Sequence, residues 1–174
     1  MSKKSFIKNL EKAFQTRAKL GDILTTDSFR YFTKCSAKEM FENGYIEKEK
    51  CNLLNSSGEV EVLNMPCYRF TNKFDKAMAR AGYPVRYNSC SDTHDIMLSN
   101  NVYKFAKDSN FSIEDYICEK DLDKSSFGYS RPDGAFCSGG RTILIEQTTE
   151  DYTPIMIQDK KNYANEFGYD IKIF

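Results

Sequence analysis

Apolar residues at the start of the chain recur with the spacing of a helix. One stripe follows three- and four-residue steps and is carried by Phe6, Leu10, Ala13, Phe14, Ala18 and Leu20. Lys and Glu fill many of the positions between them, and Gly21 is a residue type that commonly ends a helix. The pattern predicts a first helix that buries one face and stops at this glycine.

Two shorter helices are predicted next. The second begins at a capping threonine, Thr25 or Thr26, and buries the phenylalanines at positions 29 and 32. After a short turn, Ser36 is suited to be the N-cap of a third helix, and Glu39 follows in the capping-box position. An Asn-Gly pair then ends this helix.

A hairpin pattern follows the three helices. Strand-like runs at residues 51–54 and 60–63 flank Asn-Ser-Ser-Gly, and a third run at residues 67–70 leads into a helix capped by Thr71. Three short helices followed by a hairpin are the order of a winged helix-turn-helix, whose third helix enters the major groove of DNA. We therefore expect residues 1–82 to form a DNA-binding domain.

The remainder of the chain, residues 83–174, mixes helix and strand patterns. Gly and Pro mark its start, and a helix is predicted from Asp92 or Thr93 to about Lys107, before a loop. The later predicted elements are strands at residues 134–137 and 142–146, a helix at 153–167 and a strand at 169–174. This order predicts a small α/β layer, so the expected fold class is α+β with two domains.

Charge separates the two halves. Residues 1–82 carry 15 Lys and Arg against 10 Asp and Glu, a net of +5, and residues 83–174 carry 10 against 15, a net of −5. A basic half can release counterions from a phosphate backbone. The residues that we expect to contact double-stranded DNA are Arg30, Lys34, Lys38, Lys48 and Lys50. They suit phosphate contacts, and no set of Asn, Gln and Arg predicts a base code.

The cysteines and the apolar runs indicate the compartment. Six cysteines occur singly, without the CxxC or CxxH spacing of a zinc site, which favours reduced and mostly buried thiols. The longest apolar runs are far too short to cross a bilayer. We therefore expect a cytoplasmic protein without a membrane partner.

Two carboxylates in the second half are candidates for chemistry. Asp133 lies at the mouth of one predicted strand and Glu146 ends the next, so an antiparallel hairpin brings both to one edge. Two carboxylates there could hold Mg²⁺ against a phosphodiester. Pro132-Asp133, followed thirteen residues later by Glu146, resembles the core motif of PD-(D/E)XK nucleases.

A closer resemblance covers nearly the whole chain in order. It is carried by residues 94–98 (HDIML) with Val102, residues 131–136 (RPDGAF), residues 143–146 (ILIE), Lys160 or Lys161, and Tyr163. These motifs resemble the replication-relaxation family of plasmids and integrative elements. The resemblance implies a winged helix before a restriction-endonuclease-like domain, and a role in plasmid replication or DNA relaxation.

The chain departs from an active nuclease motif at one position. A lysine is expected two residues after the glutamate, but Glu146 is followed by Gln-Thr. Lys160 or Lys161 on the next helix could supply a displaced amine, and His94, the sole histidine, could be a third polar member. The alternative is that Asp133 and Glu146 are structural and the domain is a degenerate scaffold.

Three functions therefore remain open on the sequence. The first is a DNA-binding accessory or regulatory protein of a mobile element, acting in replication, mobilisation or transcription, with a possible homodimer or replication or mobilisation protein as partner. The second is a metal-dependent endonuclease that uses Mg²⁺. The third is a phage-encoded inhibitor that mimics nucleic acid with acidic residues, of which the candidates are Glu150, Asp151, Asp159 and Glu166.

Overall fold

The computed structural model describes residues 3–83 and 91–174, with side chains from residue 9 onward. The described helices are α1 (Lys3–Leu20), α2 (Thr26–Thr33), α3 (Ala37–Glu42), α4 (Asn72–Arg80), α5 (Asp92–Ser109) and α6 (Pro154–Phe167). The described strands are β1 (Ile23–Thr25), β2 (Ile46–Leu54), β3 (Val60–Phe70), β4 (Tyr116–Cys118), β5 (Gly134–Ser138), β6 (Arg141–Glu146) and β7 (Asp170–Ile173). The predicted mixed α+β class is confirmed.

The predicted helix starts in the first half are confirmed by their caps. The Thr25 hydroxyl accepts a hydrogen bond from the backbone N–H of Ser28 and begins α2. The Ser36 hydroxyl accepts one from the N–H of Glu39 and begins α3. Lys34 ends α2 in the left-handed conformation, at φ 54°, so the chain turns sharply between the two helices.

The first sheet is larger than the pattern predicted. It is antiparallel with the strand order β1-β3-β2, and Ile23 of β1 pairs with Arg69. The sequence predicted no strand at β1, because three residues are too few to show a period. It also divided β3 into two runs, because Asn64 at φ 53° interrupts the alternation within one strand.

The second sheet has the order β4-β5-β6-β7. Strands β5 and β6 form the predicted hairpin. Helix α6 connects β6 to β7, and these two strands pair in parallel. Strand β4 lies in the segment predicted as a loop, and its Tyr116 pairs with Phe136. This strand was missed because its three residues lie between single turns of 3₁₀-helix and show no alternation.

Helix α5 packs against residues of both halves. Ile96 and Met97 belong to a buried cluster with Ile23, Leu53 and Cys67 of the first sheet. Leu98, Val102 and Ala106 belong to the largest core, which also contains Leu24 and Phe29 of the first half and Phe136 and Ile145 of the second sheet. Apolar surface is therefore buried across the predicted boundary as well as within each half.

The cysteines agree with the sequence interpretation. The five cysteines within the described ranges are free thiols, at positions 35, 51, 67, 118 and 137; Cys90 lies outside them. Burial raises the pKa of Cys35 to about 11 and that of Cys67 to about 12, which disfavours the reactive thiolate. Within the described residues, no helix has the length and apolar character to cross a membrane.

The packing of α5 predicts the cost of truncating one leucine. Leu98 is fully buried, so Leu98→Ala should lower the free energy of unfolding by about 2–5 kcal/mol. Leu63 on β3 is 67% exposed, and Leu63→Ala is the matched control, with an expected change within about 0.5 kcal/mol. Urea denaturation followed by circular dichroism measures both. Equal effects of the two substitutions would contradict this packing.

Candidate functional site

The β5–β6 hairpin brings Asp133 and Glu146 together. Asp133 immediately precedes β5 and Glu146 ends β6, and the adjacent pair is Gly134 opposite Ile145. The backbone N–H of Asp133 donates to Oε2 of Glu146 at 3.1 Å, and the N–H of Gln147 donates to Oδ2 of Asp133 at 2.7 Å. Backbone groups therefore hold both carboxylates at the edge where the sequence predicted them.

Helix α6 adds a lysine to the two carboxylates. Nζ of Lys160 lies 3.1 Å from Oε1 of Glu146 and donates to the carbonyl oxygen of Arg131 at 2.6 Å. Lys161 is exposed, because consecutive helical residues point about 100° apart. The structure thus decides between the two lysines that the sequence left open. Lys160 joins Asp133 and Glu146, and Lys161 does not.

Burial dominates the electrostatics of Glu146. This residue has no exposed surface, and burial together with the Asp133 carboxylate raises its pKa from 4.5 to about 7. Lys160 and the Tyr152 hydroxyl, which donates to Oε1 at 2.6 Å, act in the opposite direction. An ionised carboxylate in this position costs several kcal/mol unless it is paired. The Lys160 ammonium and the Tyr152 hydroxyl supply that pairing.

His94 reaches the same carboxylates from α5. It lies in the first turn of this helix, where the Ser91 hydroxyl accepts a hydrogen bond from its backbone N–H. Its Nε2 lies 3.4 Å from Oδ1 of Asp133, and its Nδ1 lies 3.8 Å from Oδ1 of Asp95. The predicted third polar member therefore lies beside Asp133. We call Asp133, Glu146, Lys160 and His94 the carboxylate site.

Structural contacts occupy the position where a nuclease motif has its lysine. Thr148 is buried, and its hydroxyl donates to the carbonyl oxygen of Phe174, after β7. The preceding Gln147 is also buried and accepts a hydrogen bond from the Asn101 side chain of α5 at 2.8 Å. These two residues connect the end of β6 to α5 and to the residue after β7. The cation that contacts Glu146 is therefore supplied by Lys160 instead.

Three residues contact the carboxylate site without having been predicted to do so from the sequence: Tyr152, Gln147 and Asp95. Tyr152 lies in the turn before α6, and only the fold shows that its hydroxyl reaches Glu146. Gln147 contributes a backbone N–H, which every residue type except proline would supply. Asp95 had one available signal, its position next to the only histidine of the chain.

The five basic residues predicted to contact DNA, Arg30, Lys34, Lys38, Lys48 and Lys50, are all exposed. Lys48 of β2 lies over the ring of Phe41 on α3, with Nζ 5.2 Å from the ring centroid. Lys38 also belongs to α3 and lies 3.8 Å from Glu42. Lys34 follows α2, with Nζ 4.4 Å from the centroid of Tyr31. Lys38 and Lys48 therefore border one surface on α3, and we call Lys34, Lys38 and Lys48 the basic surface.

The oxygen atoms of the carboxylate site are of the type that binds Mg²⁺, but they already contact Lys160 and backbone N–H groups. Asp133 and Glu146 supply the oxygen ligands that Mg²⁺ takes, usually from one or two carboxylates with water and substrate. Over residues 3–83 and 91–174, no three His, Cys, Asp or Glu side chains are grouped to hold a metal ion. Lys160 contacts Glu146, so a cation here would compete with its ammonium.

Comparison of the chain with protein-family models, with curated proteins and with solved structures found no match. The carboxylate site, the basic surface and the resemblance of the motifs therefore carry what can be inferred about the function of this chain.

The raised pKa of Glu146 predicts how stability depends on pH. Between pH 4.5 and about 7 the folded chain holds a proton that the unfolded chain has released, so this residue reduces stability as pH rises. Glu146→Gln lacks this titration. Its free energy of unfolding relative to the parent should therefore improve from pH 5 to pH 8, by on the order of 1–3 kcal/mol. Urea denaturation at both pH values measures it, and a difference that stays constant would contradict the raised pKa.

Proposed function

We propose that this chain is a DNA-binding accessory or regulatory protein of a mobile genetic element, acting on double-stranded DNA through its first half. The order of elements from α1 to β3 supports this proposal: a helix, a short strand, two helices and a hairpin, with a three-stranded antiparallel sheet. In a winged helix-turn-helix the second helix of the pair, here α3, would enter the major groove.

The proposal of DNA binding depends mainly on the exposed lysines of the basic surface. Lys34 follows α2, Lys38 lies on α3 and Lys48 lies over the ring of Phe41 on α3. All three are exposed, within a half of the chain whose net charge is +5. Lysines bind phosphates as point charges and carry little sequence information, so they position the helix and do not select a site. Affinity should therefore depend strongly on salt and weakly on DNA sequence.

Charge reversal on the basic surface tests DNA binding. Lys34→Glu with Lys38→Glu should strongly weaken binding of a random duplex in a gel shift, and the salt slope of the remaining binding should fall by about 0.9 for each phosphate that is no longer neutralised. The matched control is Lys104→Glu with Lys107→Glu, which makes the same charge change at exposed positions on α5. Binding that is unchanged by charge reversal at the basic surface would overturn the proposal, and so would an equal loss of binding in the control variant.

The carboxylate site favours a second function, hydrolysis of a phosphodiester. Glu146 lies 3.1 Å from Nζ of Lys160 and accepts a hydrogen bond from the backbone N–H of Asp133 at 3.1 Å, so the two carboxylates and the amine that the nuclease motif uses lie at one edge of the sheet. Asp133 and Glu146 would hold Mg²⁺, which would supply Lewis-acid activation of the phosphodiester. Lys160 holds a positive charge beside Glu146, where it can stabilise negative charge on a phosphate oxygen.

Two acidic residues of the inhibitor hypothesis have partners within the molecule. Asp159 accepts a hydrogen bond from the backbone N–H of Ser130, and Glu166 accepts from the hydroxyl of Ser125 and the N–H of Ser126. They tie α6 to the loop before β5. This engagement gives no support to a nucleic-acid mimic, so we do not propose one.

Plasmid nicking tests the second function. With Mn²⁺ and supercoiled plasmid, a phosphodiesterase of this design should produce nicks that disappear in Asp133→Ala, Glu146→Ala and Lys160→Ala. Lys161→Ala is the matched control, because it removes the exposed neighbouring lysine and should cut at the parent rate. Absence of nicking in the parent, or equal loss in both lysine variants, would leave the carboxylate site with a structural role only.

Metal binding has a test that does not require cleavage. His94 is the only histidine, so its imidazole resonances need no assignment by mutation. Mn²⁺ bound at Asp133 would lie within a few ångströms of this ring, whose Nε2 is 3.4 Å from Oδ1 of Asp133. Substoichiometric Mn²⁺ should therefore broaden these signals selectively in the parent and much less in Asp133→Ala. Unchanged signals in the parent would show that no metal binds there.

A further inference from the structure

Asp95 is a buried carboxylate that the proposed chemistry does not use. It lies in the first turn of α5 with no exposed surface, on the far side of His94 from Asp133. Burying an ionised carboxylate costs several kcal/mol unless another group compensates for the water that it gives up. Within the described ranges, the positively charged or titratable nitrogen found within 4.0 Å of this carboxylate is Nδ1 of His94.

The first half of the chain holds Asp95 in place. The backbone N–H of Asp22 approaches Oδ2 of Asp95 at 3.4 Å, and Asp22 is itself paired with the buried Arg17. Gly21 contacts the same carboxylate so closely that a Cβ at this position would overlap it. Gly21 also has φ 103°, a conformation that other residues rarely adopt. The segment between α1 and β1 therefore packs against this carboxylate and restricts its position.

We propose that Asp95 is a positioning residue, which fixes the imidazole ring of His94 so that Nε2 faces Asp133. A carboxylate beside a functional histidine can fix the orientation of its ring. The Oδ1 atom of Asp95 lies 3.8 Å from Nδ1, beyond hydrogen-bond distance, so Asp95 acts on the ring through its packing and its charge. Gly21 and Asp22 come from the first half, so the first half completes the carboxylate site of the second.

The use of His94 in catalysis rests on the phosphodiesterase proposed above, whereas its positioning by Asp95 does not. A ring held between Asp95 and Asp133 has one orientation, and functional groups need placement to within about 0.5 Å. This proposal also explains why the first turn of α5, which is far along the chain from both Gly21 and Asp133, must contact both.

The only histidine of the chain makes the proposal testable in the intact parent protein. Long-range ¹H–¹⁵N correlation spectra of tag-free protein with ¹⁵N-labelled histidine show how many environments the ring occupies. We expect a single ring environment. Two environments, or signals averaged between them, would overturn the proposal without the need for any variant.

Variants then separate positioning from general stability. Asp95→Ala should give averaged His94 signals, and Asp95→Asn, which keeps the packing but not the charge, should partly restore the single environment. Gly21→Ala, which displaces the carboxylate from the other half, should reproduce the effect of Asp95→Ala. Asp108→Ala is the control, because it removes an exposed carboxylate from the same helix. Parent-like signals in Asp95→Ala, or equal changes in Asp108→Ala, would contradict a positioning role.

Activity provides a separate readout where nicking occurs. The losses caused by His94→Gln and Asp95→Ala should then not add in the double variant, because both remove the same oriented ring. Losses that add would overturn the positioning role. If the parent cuts no DNA, the phosphodiesterase fails, and the histidine spectra still decide the role of Asp95.

Discussion

The burial of α5 between residues of the two sheets is the constraint on which the rest of the molecule depends. Ile96 and Met97 pack with the first sheet, and Leu98 and Val102 belong to the core shared with the second. A helix buried on several sides cannot rotate without exposing apolar surface, at about 25 cal/mol for each Å². Its first turn is therefore fixed, and this turn carries the two polar residues that lie against Asp133 and Gly21.

The second constraint is the electrostatic balance at Glu146. A carboxylate without exposed surface remains acceptable here because it accepts hydrogen bonds from a backbone N–H and a tyrosine hydroxyl and pairs with Lys160. The same contacts give the site its two possible roles. A lysine and a carboxylate at 3.1 Å can act on a phosphate, and they can also serve as a buried ion pair that holds α6 on the sheet.

The two candidate functions use different surfaces of one chain. The basic surface consists of exposed lysines on and near α2 and α3, whereas the carboxylate site is largely enclosed and depends on paired charges. Long-range attraction to DNA requires the first kind of charge, because paired and buried charges contribute little field at a distance. The two functions are compatible in one chain, because the basic surface and the carboxylate site belong to halves that share one apolar core.

The sequence by itself determined the mixed α+β class, the main helices with their capping residues, and the β5–β6 hairpin that joins Asp133 to Glu146. These features are local: a cap needs a hydroxyl within three residues, and a hairpin places its two ends together. Only the tertiary structure showed that Lys160, and not Lys161, contacts Glu146. It also placed Tyr152 against Glu146 and Gly21 against Asp95. These contacts depend on how α5 and α6 rotate against the sheets, and packing between elements far apart in the chain sets that rotation.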